Sequence, residues 1–111
     1  MKENLVSLEA RQLGGKVNTR EIMIGNNKAE GIEIGLGNAV LVLAIGKKGY
    51  IMCGYLNLEA AEKFGDCAAI VKGVKTVDDL LAAKVFAVTK NAEKSGINAG
   101  MSGREALEKL F

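Results

Sequence analysis

Two apolar runs, Ala39-Val40-Leu41-Val42-Leu43-Ala44-Ile45 and Tyr50-Ile51-Met52-Cys53-Gly54-Tyr55-Leu56, flank the four residues Gly46-Lys47-Lys48-Gly49. This pairing constrains the fold more than any other stretch. Both runs are β-prone at their start, and a short Gly-flanked loop between two such runs reads as a hairpin. Each is apolar on both faces. Such strands belong near the middle of a sheet, with helices over one face and a second subunit over the other as one way to cover them. The longest unbroken run, Ala39–Ile45, is far too short to cross a bilayer.

The rest of the chain supplies further elements. Residues 5–13 lean towards a strand, because Val6, Leu8 and Ala10 alternate with Ser7, Glu9 and Arg11. Val17–Ile24 reads as a strand, and Gly25-Asn26-Asn27-Lys28 as a turn. Residues 29–36 alternate, with Ile32, Ile34 and Leu36 on one face and Glu33 on the other, as in a half-buried strand. Gly35-Leu36-Gly37 invites a dinucleotide-loop reading, but the third glycine is missing and a strand-like run follows where a helix must open.

Helical signals gather in the second half. Asn57 is a good N-cap, Glu59 an early acid and Gly65 a stop for a helix over 57–65. Residues 67–71 form the next strand, whose small residues imply close packing. Thr76 caps a second helix with Asp78 and Asp79 in its first turn. A final strand spans 84–89, and residues 91–94 form a helical turn ended by Ser95-Gly96. Ser102-Gly103-Arg104-Glu105 is a capping box opening a terminal helix with an Ala106, Leu107, Leu110, Phe111 stripe. No repeat, linker or low-complexity segment divides the 111 residues. The expectation is one α+β domain over 1–111, with a largely antiparallel sheet, a central hairpin at 39–56, and three to four short helices mostly in the C-terminal half.

Composition removes several functions. Histidine is absent, so the commonest base near neutral pH and the commonest transition-metal ligand are missing. Two cysteines cannot close a four-ligand zinc site in one chain, so no metal and no cofactor is expected. A net charge of +2 with no basic cluster beyond Lys47-Lys48, and only 5% aromatic residues, disfavours nucleic-acid binding. The first residues include acids and lack a long apolar core, unlike a signal peptide. A cytoplasmic location with reduced thiols is the expectation, and no membrane partner.

Three places could carry chemistry. Cys53 could be a nucleophile or redox thiol only if Arg104 or a lysine held the thiolate; otherwise it is a small apolar residue in a central strand. Cys67, beside Ala68 and Ala69, reads as packing. The glycine-flanked helix start at Ser102, Gly103 and Arg104 could receive a small anionic ligand, unless its capping box satisfies the same N–H groups. Tyr55 and Asn57 could line a cleft, unless Tyr55 only tethers strand to helix, and whether they touch that helix start is a question for the structure. Asp66 stands out among the acids because it immediately precedes a packed strand.

Three blocks carry a resemblance: Gly49-Tyr50-Ile51-Met52-Cys53-Gly54, then Gly73-Val74-Lys75-Thr76-Val77-Asp78-Asp79-Leu80-Leu81, then Gly96-Ile97 followed by Gly100-Met101-Ser102-Gly103-Arg104-Glu105-Ala106-Leu107. In order and spacing they resemble the YunC-like family of short archaeal and bacterial proteins, a domain-of-unknown-function family. The resemblance covers residues 29–111; the first 28 carry no part of it. It implies a single α+β domain and no established activity, and it assigns no catalytic residue.

Three functions compete. First comes a small non-enzymatic module that self-associates, as a homo-oligomer, and binds a small ligand or partner. Second is an enzyme of unknown reaction using Cys53 with Arg104 as anion holder, so whether the chain is an enzyme stays open. Third is nucleic-acid binding.

Overall fold

The computed structural model describes residues 16–111. The strand expected at 5–13 lies outside them. Six strands form one sheet in the order β1-β2-β3-β4-β5-β6. They are β1 (Val17–Ile24), β2 (Asn27–Leu36), β3 (Ala39–Ile45), β4 (Gly49–Met52), β5 (Cys67–Ile70) and β6 (Ala87–Val88). Four helices follow the hairpin: α1 (Leu58–Phe64), α2 (Val77–Ala82), α3 (Lys90–Lys94) and α4 (Gly103–Glu108). The α+β reading holds, and the β3–β4 hairpin occupies the two middle positions of the sheet.

Every strand pair is antiparallel except β4 and β5, which run parallel with Gly49 opposite Cys67 and Met52 opposite Ile70. A parallel neighbour needs a crossover, and α1 supplies it. That crossover also shortens the expected strand. The apolar stretch 50–56 stays in the sheet only to Met52. Cys53 keeps one bond to β3, its N–H donating to Val42 O at 3.1 Å. The chain then turns at Gly54 and Tyr55, with the Leu56 N–H closing onto Cys53 O. Likewise β6 is two residues long rather than the expected 84–89, although the Phe86 and Thr89 N–H groups still donate to Ile70 O and Ala68 O.

Residues paired across neighbouring strands share a face of the sheet. Val42, Ala44, Ile51, Ala69 and Val71 point to one side, where they pack with Leu80, Leu81, Ala92, Ile97, Ala106, Leu107 and Leu110 from the α2, α3 and α4 regions. Each large aliphatic side chain fully buried there contributes ~1.5–3 kcal/mol. Met52, Ala68 and Ile70 point to the other side and meet Ala61 of α1. Among the described residues, one face is therefore roofed by three helices and the other by one.

The register turns one expectation over. Ile32 and Ile34 share the side of Leu43 and Leu41, away from the three-helix layer. It is Glu33 that faces that layer, where its carboxylate accepts the Val77 N–H at 2.7 Å and helps cap α2. Thr76 Oγ1 completes the cap by accepting from Asp79 N.

Thr89 is the one buried polar residue among those described. Its hydroxyl donates to Asp66 O at 2.8 Å and accepts from Ala68 N at 3.0 Å and Ala92 N at 3.2 Å. One side chain thus joins β5, the loop before it and the start of α3. Thr89→Val keeps the shape but leaves these groups without their partner, at a cost of about 1–3 kcal/mol. Thermal unfolding should show a midpoint lower by roughly 4–8 °C for each kcal/mol lost, while Thr89→Ser should retain most of the stability.

Candidate functional site

The parallel pair directs attention to its C-terminal ends, by analogy with open α/β sheets, whose ligands bind outside the carboxyl ends of parallel strands. After β4 come Cys53, Gly54 and Tyr55; after β5 come Lys72 and Gly73. These ends, with the β2–β3 turn, enclose a cleft of about 410 Å³ lined by Asn38, Val40, Cys53, Tyr55, Gly73 and Lys75, among others. Two of the sequence blocks that carried the resemblance meet here, one at Gly54 and the other at Gly73. Gly73 has φ +74°, a left-handed turn that suits glycine and lets the chain leave β5 towards α2.

Cys53 lies at the buried end of this cleft and is 3% exposed. Its sulfur accepts the Val42 N–H at 3.3 Å. Among the described residues no side-chain base hydrogen-bonds to it, and Arg104 does not line its cleft. The condition on which a reactive Cys53 depended, a nearby Arg104, is not met in the lining of this cleft.

Ser102, Gly103 and Arg104 open α4 in the three-helix layer. The capping box is complete: Ser102 Oγ accepts from Glu105 N at 3.0 Å, and Glu105 Oε1 accepts from Ser102 N at 2.9 Å. Gly103 N–H donates to Ala83 O at 2.8 Å. A Cβ on Gly103 would sit 2.0 Å from Leu80 O, so glycine is needed for α4 to reach the end of α2. The N–H groups of Ser102, Gly103 and Glu105 are thus satisfied by the chain itself. Arg104 is exposed and, among the described residues, forms no ion pair.

Tyr55 and Asn57 do not meet this helix start. Tyr55 stands beside the residues preceding α2, whereas Ser102 and Gly103 pack at the opposite end of α2. Asn57 caps α1, its Oδ1 accepting from Ala60 N at 3.1 Å, and belongs to the other face of the sheet. There, Tyr55 and Asn57 do border a shared groove, of about 680 Å³, between α1 and the strand residues Leu43, Ile45 and Tyr50.

A third cleft, of about 440 Å³, is polar and was not anticipated as a unit. Lys48, Asp66, Cys67 and Lys94 line it. Tyr50 OH donates to Asp66 Oδ2 at 2.6 Å, and Cys67 Sγ to Ser95 Oγ at 3.7 Å. Burial, then the hydrogen bond to Asp66 and its negative charge, push the Tyr50 hydroxyl up to about 12. Asp66 was the acid that stood out in the sequence; its tyrosine partner, 16 positions earlier, carried no local signal. No three metal-ligating side chains come together among the described residues.

A small α+β domain with an open sheet and clefts at its strand ends is thus the class of protein on view. The chain belongs to the family described as domain of unknown function DUF1805, whose model matches residues 52–110. It is 39% identical over 99 residues to the uncharacterized protein YunC of Bacillus subtilis (strain 168), covering 86% of this chain and 98% of that one. It also resembles the crystal structure of a protein of unknown function from Thermoplasma acidophilum. There the TM-score is 0.84 and the identity 45%, over 88% of this chain and 96% of the other. The resemblance read from the three blocks is confirmed, and the similarity to YunC reaches beyond the span of the family model.

Two outcomes follow. Cys67 is half-buried and Cys53 buried, so a bulky thiol reagent under native conditions should modify Cys67 first. Cys67→Ser should remove the fast phase and Cys53→Ser should leave it. In alkaline titration at 295 nm, one tyrosine phase should centre near pH 12 and vanish in Tyr50→Phe. The folded hydroxyl keeps its proton above the pH where an unfolded tyrosine loses it, near 10. Its contribution to stability is therefore intact below about pH 10 and is lost as pH rises towards 12.

Proposed function

We propose that this chain is a small non-enzymatic module that works as a self-associated assembly, two copies meeting through the α1 side of the sheet. One observation carries the reading: among the described residues, the apolar row on that side is only partly covered. Ile32, Ile34, Leu36, Leu41, Leu43 and Ile45 occupy one face of β2 and β3 by register, while the charged Glu33 is turned inward to cap α2. Leu36 is 45% exposed and Ile45 39%, and the neighbouring Phe64 of α1 is 81% exposed. A contiguous apolar surface of this kind favours burial against a partner, and a second copy offers a self-complementary match.

Neither cysteine hydrogen-bonds to a side-chain base among the described residues, which supports binding over catalysis as the primary role. The cytoplasmic setting and the reduced thiols read from the sequence form part of the same proposal. No described helix is long and apolar enough to cross a membrane.

Sedimentation equilibrium on the purified protein is the test, with a concentration-dependent dimer as the expected result. Phe64→Glu and Ile45→Glu change exposed side chains and should leave the circular dichroism spectrum unaltered. Each should raise the dimer dissociation constant at least ~10-fold, about 1.4 kcal/mol. A wild-type protein that remains monomeric at ~0.5 mM, well above the micromolar range of specific dimers, overturns the proposal.

A further inference from the structure

We infer that the cleft at the C-terminal ends of β4 and β5 is a binding site for a small amphiphilic carboxylate: an apolar body of a few carbons carrying one negative charge. This inference does not rest on self-association, although Tyr55 borders both this cleft and the groove on the α1 side.

Shape comes first. About 410 Å³ lies within the range of small-molecule sites. It forms where the only parallel pair among the described strands ends, because both chains leave the sheet there in different directions: residues after β4 turn towards α1, and residues after β5 towards α2. Divergence of this kind opens a crevice that no local side chain is placed to fill.

Chemistry narrows the occupant. Ala39, Val40 and Val74 give the cleft apolar walls, and the Cys53 thiol, itself weakly polar, lies at its inner end. A polar or doubly charged ligand would lose hydration there without recovering it. At the rim stand Tyr55, with a hydroxyl, Asn38, with an amide, and Lys75, the one charged side chain of the lining. Lys75 makes no salt bridge among the described residues. The nearby acids are engaged elsewhere: Asp79 Oδ2 accepts the Lys75 backbone N–H at 3.1 Å, and Asp78 pairs with Arg20. One cation at the mouth and apolar walls within match a ligand with one anionic end and an apolar tail. At the other candidate anion site, Ser102–Arg104, the capping box already occupies the Ser102 and Glu105 N–H groups, which leaves this cleft as the better receptor for such a ligand.

The test is a titration of isotope-labelled full-length protein with acetate, butyrate, hexanoate and, as the neutral control, hexanol, followed by amide chemical shifts. Hexanoate should give saturable shifts confined to residues such as Gly54, Tyr55, Gly73 and Lys75. Affinity should rise from acetate to hexanoate, by up to about fourfold per added methylene. Hexanol should bind more weakly than hexanoate. Lys75→Gln, at an exposed position, should keep the spectrum of the folded protein and weaken hexanoate about fivefold, as for a partly exposed ion pair. Equal binding of hexanoate and hexanol overturns the inference. So do shifts that never saturate or scatter over surface lysines, and a Lys75→Gln protein that binds hexanoate as tightly as the wild type.

Discussion

The architecture depends on one close approach, between Gly49 at the start of β4 and Cys67 at the start of β5. A Cβ on Gly49 would sit 1.8 Å from Cys67 O, a distance no side chain tolerates. Glycine therefore lets the two strands pair in parallel from their first residues. Parallel pairing requires a crossover, which places α1 on one face of the sheet. It also aligns the C-terminal ends of β4 and β5, so that the residues that follow them, Cys53 and Gly73 among them, line one cleft. Beneath the same strands, Thr89 ties the loop before β5 to β6 and α3. Removing the glycine would disturb each of these features through one atom.

The four-residue connection to β3 is fixed from the other end of the chain. Lys48 N–H donates to Leu110 O, and a Cβ on Gly46 would lie 2.9 Å from the Leu110 Cβ. The hairpin that dominates the sequence is thus held by the last turn of the molecule. This explains why a loop with two lysines can be short: its backbone groups find partners in Gly49 O and Leu110 O rather than in water alone.

Features set by neighbours in sequence could be read from sequence. The hairpin, the Gly25 turn, the Asn57 and Thr76 caps and the Ser102–Glu105 capping box all depend on residues within a few positions. What escaped depends on distant pairing. The alternation of Ile32, Glu33 and Ile34 looks the same whichever face the helices cover, and only the Glu33–Val77 hydrogen bond, 44 positions apart, decides it. The end of β4 at Met52 was hidden because the apolar run continues through Gly54 to Leu56 after the chain has left the sheet. The cleft at Cys53 was legible only in part. Cys53 and Tyr55 could be picked out, but Lys75 comes from another block and is brought near them by the β4–β5 pairing.

Glu33 explains how the two sides of the sheet acquired different roles. A carboxylate facing the three-helix layer has a use there, because the first N–H groups of α2 need acceptors and no residue within that short helix can supply them all. Once Glu33 points inward, strand geometry forces Ile32 and Ile34 outward, since successive side chains alternate. The exposed apolar row is therefore the geometric counterpart of a helix cap. A replacement that kept Ile32 and Ile34 inside would bury more apolar area but leave the start of α2 short of an acceptor. The proposed self-association through the outward row would reconcile the two demands: the cap stays satisfied within each copy, and the apolar residues would find cover in the next.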